Sequence, residues 1–240
     1  MIAVIVPAHD EAEHIGGCLA SIRRAGENPL LRNERVQIFV ALDACKDRTG
    51  YIADQHGATL VVLDQNNVGA ARALAARAAV AAGARWLAFT DADSQVAPDW
   101  LAAQLSLGAE AVCGTVTVGD WSSRHTIVRE RHDAAYSDRD GHRHVHGANL
   151  GVRTDAYVRV GGFDALVCNE DVALVEALQE AGVVIAWSMR PKVMTSARRD
   201  FKAPNGLGAT LERIEGAVGA AVQHVAAGVP KHPRPALARE

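Results

Sequence analysis

The stretch AFTDADSQV, residues 88 to 96, sets two aspartates one residue apart at the end of an apolar run. A carboxylate in that position must be hydrated, hydrogen-bonded or held by a cation, because desolvating it alone costs far more than a fold can spare. On an extended chain Asp91 and Asp93 point to one side with Ala92 opposite. Hard divalent ions such as Mg²⁺ or Mn²⁺ favour such oxygens, completed by phosphate and water. A lone pair of this spacing is often only an aspartate-rich turn or a helix cap. Here three other apolar runs end the same way, in PAHDEAE, DACKDRT and DQNNVG. Asp10, Glu11, Asp43, Asp47, Asn66, Asn67, Asp91 and Asp93 thus meet at one edge. Such an edge repels itself unless it binds a cation or gives its carboxylates to hydroxyls and base edges. The expected ligand is polyhydroxylated and nucleotide-like, with a metal.

A second acidic group, Asn169, Glu170 and Asp171, precedes a helical pattern of Val172, Leu174, Val175 and Leu178. Carboxylates there are stabilised by the free N–H groups and dipole of a first helical turn, so capping is one reading. The other is a general base that takes the proton of an attacking hydroxyl. His142, His144 and His146 alternate along an extended segment. They read as surface polar residues in preference to a metal site, so replacing His144 is expected to change little. His146, with Gly147, Ala148 and Asn149, is a candidate lining for a sugar or an acceptor.

The elements that must position these groups alternate. Ile2 to Val6, Val36 to Leu42, Thr59 to Leu63 and Trp86 to Thr90 read as strands. Helical spacing recurs at Ile15, Cys18, Leu19 and Ile22, and again from Ala70 to Ala82, where Gly83 closes the helix. Strand and helix in alternation imply a mainly parallel sheet covered on both faces, beyond whose carboxyl ends a ligand binds. Further on, Pro98 opens a helix to about Leu107, and Ala111 to Val118 is a strand. Residues 121 to 140 suggest a polar helix, Leu150 to Arg153 and Val183 to Ser188 further strands, and Asp171 to Ala181 a helix. Gly206 to Ala227 is helical, with a stripe at Leu211, Ile214, Val218, Ala221, Val222 and Val225. That stripe fits core or dimer contact better than a membrane face, since its polar side, with Glu212 and Glu215, is not strongly basic. The proline-rich tail 229–240 is expected to be disordered.

With 240 residues, 49% hydrophobic and 22% charged, the chain has the composition of an ordinary globular domain. Its 25 basic and 28 acidic residues give no net field to attract nucleic acid. Cys18, Cys45, Cys113 and Cys168 form no CxxC pair, which points to reduced thiols and a cytoplasmic setting. No signal peptide is evident, and Arg72 and Arg77 interrupt the longest apolar region, so no transmembrane segment is expected.

Taken in chain order, these stretches resemble the family 2 glycosyltransferases of the GT-A fold. VIVPAHDEAEHIGGCLASI is similar to their first strand and helix, DACKDRT to their second aspartate motif, NNVGAARALA to their asparagine-glycine helix start, and DADS to their DxD. HGANLGVRTDAYVRVGGFD, followed by NEDVALVEALQEAG, resembles their acceptor-side segment with its acidic pair. The likeness covers roughly residues 1 to 190. It implies one α/β domain over 1–228, with a nucleotide-binding half (1–118), an acceptor-side half (119–205) and a C-terminal helix (206–228). It further implies that Pro7, Ala8, Asp10, Glu11 and Asp43 surround the nucleoside and that Asn67, Gly69 and Arg72 assist on the donor side. Asp91, Ala92 and Asp93 would handle ribose and a diphosphate bound through Mg²⁺ or Mn²⁺, with Arg198 or Arg199, and also Lys202, near that diphosphate. Asp171 is the implied base, with Glu170 the other candidate. The implied partners are a UDP- or GDP-sugar and a small or lipid-borne acceptor, joined in one inverting displacement; a homodimer is compatible.

The chain departs from the family where Ala44 follows Asp43 and where Ala73 replaces an asparagine. QxxRW is missing, which favours single transfer over polymer synthesis. Three rivals remain. A sugar-1-phosphate nucleotidyltransferase should carry a glycine-rich basic loop where this chain has HDEAEH. A phosphohydrolase of the haloacid dehalogenase type should carry its DxD after the first core strand. A nucleotide-sugar binding module without catalysis is opposed by Asp93 and Asp171.

Overall fold

The computed structural model describes residues 1–199 and 206–227. Ile2–Ala8 (β1) is apolar without alternation, and Ile2 to Val6 are fully buried, as a strand covered on both faces requires. Val36–Asp43 (β2), Thr59–Leu63 (β3) and Trp86–Phe89 (β4) join it in parallel, with β1 between β2 and β4. The chain order therefore reverses at β1, and the carboxyl ends of β1, β2 and β4 open onto one crevice.

Period two divides the core. Ile2, Val4 and Val6 face Ile15–Gly26 (α1) and Trp100–Ser106 (α4), through Ile15, Leu19, Ile22, Trp100 and Leu101. Ala3 and Ile5 face Val68–Ala81 (α3), with its Ala71, Ala75, Ala76 and Ala79, on the same side as Leu174, Val175 and Leu178 of Glu170–Glu180 (α7). Small alanines let α3 lie close to the sheet.

Four further strands complete the sheet. Leu150–Arg153 (β7) runs antiparallel to both β4 and Ala111–Asp120 (β6). Ile185–Ser196 (β8) runs parallel to β6, and Gln95–Val96 (β5) closes the edge antiparallel to β8. The eight-stranded order is β3-β2-β1-β4-β7-β6-β8-β5, a single, mainly parallel sheet flanked by helices.

Several local expectations needed correction. The last strand was expected to stop at Ser188, but β8 continues to Ser196 because its pairing jumps from Gly114↔Ser188 to Thr115↔Lys192. Met189, Arg190 and Pro191 form the bulge, and a proline there disguises a continuous strand. Thr49–Gln55 (α2), β5 and Thr154–Arg159 (α6) were not anticipated, since each is too short to show a period. The polar helix expected within 121 to 140 is Thr126–Ala135 (α5). Leu207–Ala227 (α8) docks on it through Leu211, which packs fully buried against Val128 and Ala197. The Arg124–Glu215 ion pair at 3.1 Å adds to that docking. No helix among the described residues is long and apolar enough to cross a membrane. The tail 229–240 and Lys202 lie outside the described residues.

Candidate active site

The loops after β1 and β2 are tied together by their own carboxylates. Asp10, at φ 48°, accepts hydrogen bonds from the N–H groups of Lys46 (2.6 Å) and Asp47 (3.2 Å). The Lys46 bond leads the effects that hold its carboxyl below the usual range. Asp47 accepts from Ala12 N at 3.0 Å, and Thr49 Oγ1 accepts from Glu11 N at 2.7 Å. Asp43, 4% exposed, accepts from the N–H groups of Gln65, Asn66 and Asn67 at 2.8, 3.0 and 2.6 Å. Its carboxylate thus builds the turn into α3, in the crevice where the family resemblance expects a nucleoside. Ala8, nearly buried, accepts from Cys45 Sγ through its carbonyl, and Pro7 is half-buried beside it.

Asn67 caps α3 by accepting from Ala70 N at 2.9 Å, and its Nδ2 donates to the Ala165 carbonyl at 3.0 Å. Gly69 lies under the same crossing segment: a Cβ there would overlap the Asp164 carbonyl. Asn67 and Gly69 therefore tie the start of α3 to the segment 164–166.

Arg72 ties α3 to α7. Its guanidinium pairs with Asp91 Oδ1 at 2.6 Å and with Glu170 Oε1, 5.8 Å from the Phe163 ring centroid. At 3% exposure it is buried between these partners. Burial works against its charge, but Asp91, Glu170 and Asp171 outweigh that and raise its pKa. Gly147 makes the room: a Cβ there would overlap the guanidinium.

Asp93 meets Arg198 Nη2 at 3.3 Å, while Arg198 grips both oxygens of Glu11 at 2.6 and 2.8 Å. Burial, then the Asp91 charge, pushes the Asp93 carboxyl up to about 6, against the pull of Arg198. A carboxylate that is poorly compensated in this way suits a cation. Among the described residues no three acidic, histidine or cysteine side chains are arranged to hold one alone. A Mg²⁺ or Mn²⁺ ion would therefore take Asp93, with Asp91 beside it, and complete its shell from ligand and water oxygens. Ala92 is buried behind the pair. Arg199, also expected near a diphosphate, turns away and pairs with Glu215 on α8 at 2.7 Å.

At the start of α7 the two acidic candidates separate. Glu170 is 4% exposed and bound to Arg72, and burial raises its pKa. Asp171 is half-buried; its Oδ2 accepts from Gly147 N at 2.6 Å and its Oδ1 from Val172 N at 2.9 Å. Asn149 is fully buried: it donates to the Thr115 and Pro191 carbonyls (2.7 and 2.8 Å) and accepts from Trp100 Nε1 (2.8 Å). It staples β6, β8 and α4. Ala148 is buried beside it.

Of the three alternate histidines expected at the surface, His142 is buried and His144 and His146 are half-buried. His142 is 3% exposed, and His144 stacks on Tyr136 at 4.3 Å and 8° while accepting from Ser137 N at 3.1 Å. Tyr136 is the functional candidate that the sequence reading missed. It stands in a polar stretch with no motif around it, and only the fold brings it to His146 Nε2, 2.9 Å away.

A mainly parallel sheet with an acidic crevice at β1, β2 and β4, facing a second acidic pair on α7, has the architecture of a GT-A domain. Residues 3–161 match the family Glycosyl transferase family 2, and the chain belongs to that family. Solved structures share the fold. Staphylococcus aureus TarS 1-349 in complex with UDP-GlcNAc gives a TM-score of 0.62 at 15% identity over 92% of this chain and 66% of that one. Mannosyltransferase PcManGT from Pyrobaculum calidifontis, in complex with GDP-Man and Mn²⁺, gives 0.59 at 18% over 96% and 76%. Glucosyl-3-phosphoglycerate synthase from Mycobacterium tuberculosis, in complex with Mn²⁺, UDP and glucosyl-3-phosphoglycerate, gives 0.58 at 16% over 92% and 79%. Against a longer TarS structure the chain spans only 37% of that protein's length. No curated protein matches the sequence.

Proposed function

We propose that this chain transfers a sugar from a nucleoside diphosphate donor to an acceptor hydroxyl, once per encounter and with inversion. The observation that carries the reading is the junction at Arg72, where Asp91 of the donor crevice and Glu170, next to Asp171, share one guanidinium. Donor diphosphate and acceptor hydroxyl then meet between Asp93 and Asp171, in the crevice at the strand ends. A bound Mg²⁺ or Mn²⁺ would offset the charge that builds on the leaving diphosphate.

In this mechanism the acceptor oxygen attacks the anomeric carbon from the face opposite the diphosphate. Its proton passes to Asp171 as the new C–O bond forms and the bond to the diphosphate breaks. Gly147 N–H and Val172 N–H fix the orientation of Asp171, while Glu170, enclosed by Arg72, has no comparable access. Arg198 stands close enough to Asp93 to turn from Glu11 to a phosphate, a task suited to its forked donors. The segment 1–118 serves as the donor half and 119–205 as the acceptor half. UDP and GDP are the favoured donor bases, and the cytoplasm, where such donors are made, is the favoured compartment.

Calorimetric titration with UDP, GDP, dTDP and ADP, each with and without Mn²⁺, tests this. Metal-dependent binding of one diphosphate is expected, together with loss of transfer but not of binding in Asp171→Asn. Binding in the wild type without transfer to any hydroxylated acceptor would favour a module that holds nucleotide sugars without catalysis. No binding at all would remove the donor reading.

A further inference from the structure

Tyr136 follows α5 and belongs to no motif, yet its phenolic oxygen sits at a junction. It accepts from Val116 N on β6 at 2.9 Å and lies 2.9 Å from His146 Nε2. Val116 N–H has a proton to give and no lone pair to offer. Among the described residues, the phenol's own hydrogen therefore has one acceptor, His146 Nε2. A neutral imidazole that accepts at Nε2 carries its hydrogen at Nδ1. Burial reinforces both ends: it pushes Tyr136 up to about 12, and, aided by His144, it holds His146 down to about 4.

The ring has little freedom. His144 stacks on Tyr136 at 4.3 Å, and His146 lies 5.8 Å from Tyr136 and 5.9 Å from His144, within 27° of parallel. The peptide that follows His146 supplies the Gly147 N–H to Asp171 at 2.6 Å. Asp171 is near enough to act on the charge state of His146. The held imidazole and the N–H that orients Asp171 thus stand on neighbouring residues, His146 and Gly147.

We propose that Tyr136 is a positioning residue that locks His146 as its Nδ1–H tautomer, so that His146 donates to a ligand hydroxyl next to the one facing Asp171. The ligand class this selects is a polyol, such as a sugar, with one hydroxyl able to give a proton to Asp171 and a neighbour able to accept from Nδ1. The second half of the proposal rests on Asp171 being the base. The first half does not.

The test uses ¹⁵N-labelled full-length protein and long-range nitrogen–proton correlation of the imidazoles, with His146→Gln to assign the signal. Wild type is expected to show a protonated Nδ1 and a bare Nε2 between about pH 6 and 8. Tyr136→Phe keeps the ring and its stacking but loses the oxygen, and is expected to show both tautomers. A proton on Nε2 in the wild type, or an unchanged Tyr136→Phe spectrum, would overturn the lock. Binding is read with glycerol and glucose as polyol probes, titrated against the nucleotide-loaded protein. His146→Gln should weaken whichever probe binds by about 10-fold, the loss of one good hydrogen bond. Equal affinity in wild type and His146→Gln overturns the donor role. A locked tautomer in a protein that transfers no sugar would sink the transferase reading and leave the lock standing, so the two failures are distinct.

Discussion

Asp93 holds its proton more tightly in the folded chain than in the unfolded one, since burial and Asp91 raise its carboxyl to about 6. A raised acid binds extra protons when folded, so stability from this group is full below about pH 4 and is lost as pH rises through about 6. Asp93→Asn removes the penalty. We expect it to be more stable than wild type by about 2 kcal/mol at pH 8, with the gap closing below pH 4, in urea titrations across that range. A gap independent of pH would show that Asp93 is not the strained carboxylate. Arg72 poses the opposite case. Arg72→Met would leave Glu170 buried and uncompensated, and an expected loss of about 3–5 kcal/mol would appear in the same unfolding experiment. A loss under about 1 kcal/mol would mean that Glu170 finds water or a proton instead.

The elements hold these residues through close approaches that permit no added atom. Gly147 faces a guanidinium fixed from two sides by Asp91 and Glu170, so the obstruction there is not a flexible tip. Gly147→Ala is expected to destabilise by about 2 kcal/mol or more and to disturb Asp171, whose Oδ2 depends on the Gly147 N–H. An alanine variant as stable as wild type, measured by thermal unfolding, would show that the segment before β7 can shift. At α8 the anchor is Arg124, whose side chain is fully buried and binds Glu215 together with the carbonyls of Ala197 and Arg198. Arg124→Ala should loosen α8 and the strand end that carries Arg198, seen as faster amide exchange at residues 195–199 than in wild type. Unchanged exchange would show that α8 packs by Leu211 alone.

At the scale of the whole molecule, a donor that binds only the folded crevice must stabilise the fold. A nucleoside diphosphate with Mn²⁺ at about 100 times its Kd should add about 2.7 kcal/mol and raise Tm by roughly 5–10 °C. Removing the ion with a chelator should cancel most of that rise, and a rise indifferent to chelation would oppose a metal-bridged diphosphate. The strand–helix alternation, the DxD and the pair on α7 were legible in the sequence because each is local: a two-residue or 3.6-residue period, and carboxylates at the end of an apolar run. From those the fold class and the acidic crevice followed. Which partners each polar side chain meets was not legible, because those partners are distant in the chain. Asp43 is taken up by the N–H groups of residues 65–67, Arg72 by Asp91 and Glu170, Asn149 by Thr115, Pro191 and Trp100, and Arg199 by Glu215. Nor does any spacing join Tyr136 to His146. Periodicity fixes what a residue faces within its own element, whereas hydrogen bonds and ion pairs across elements form only once the sheet has brought their ends together.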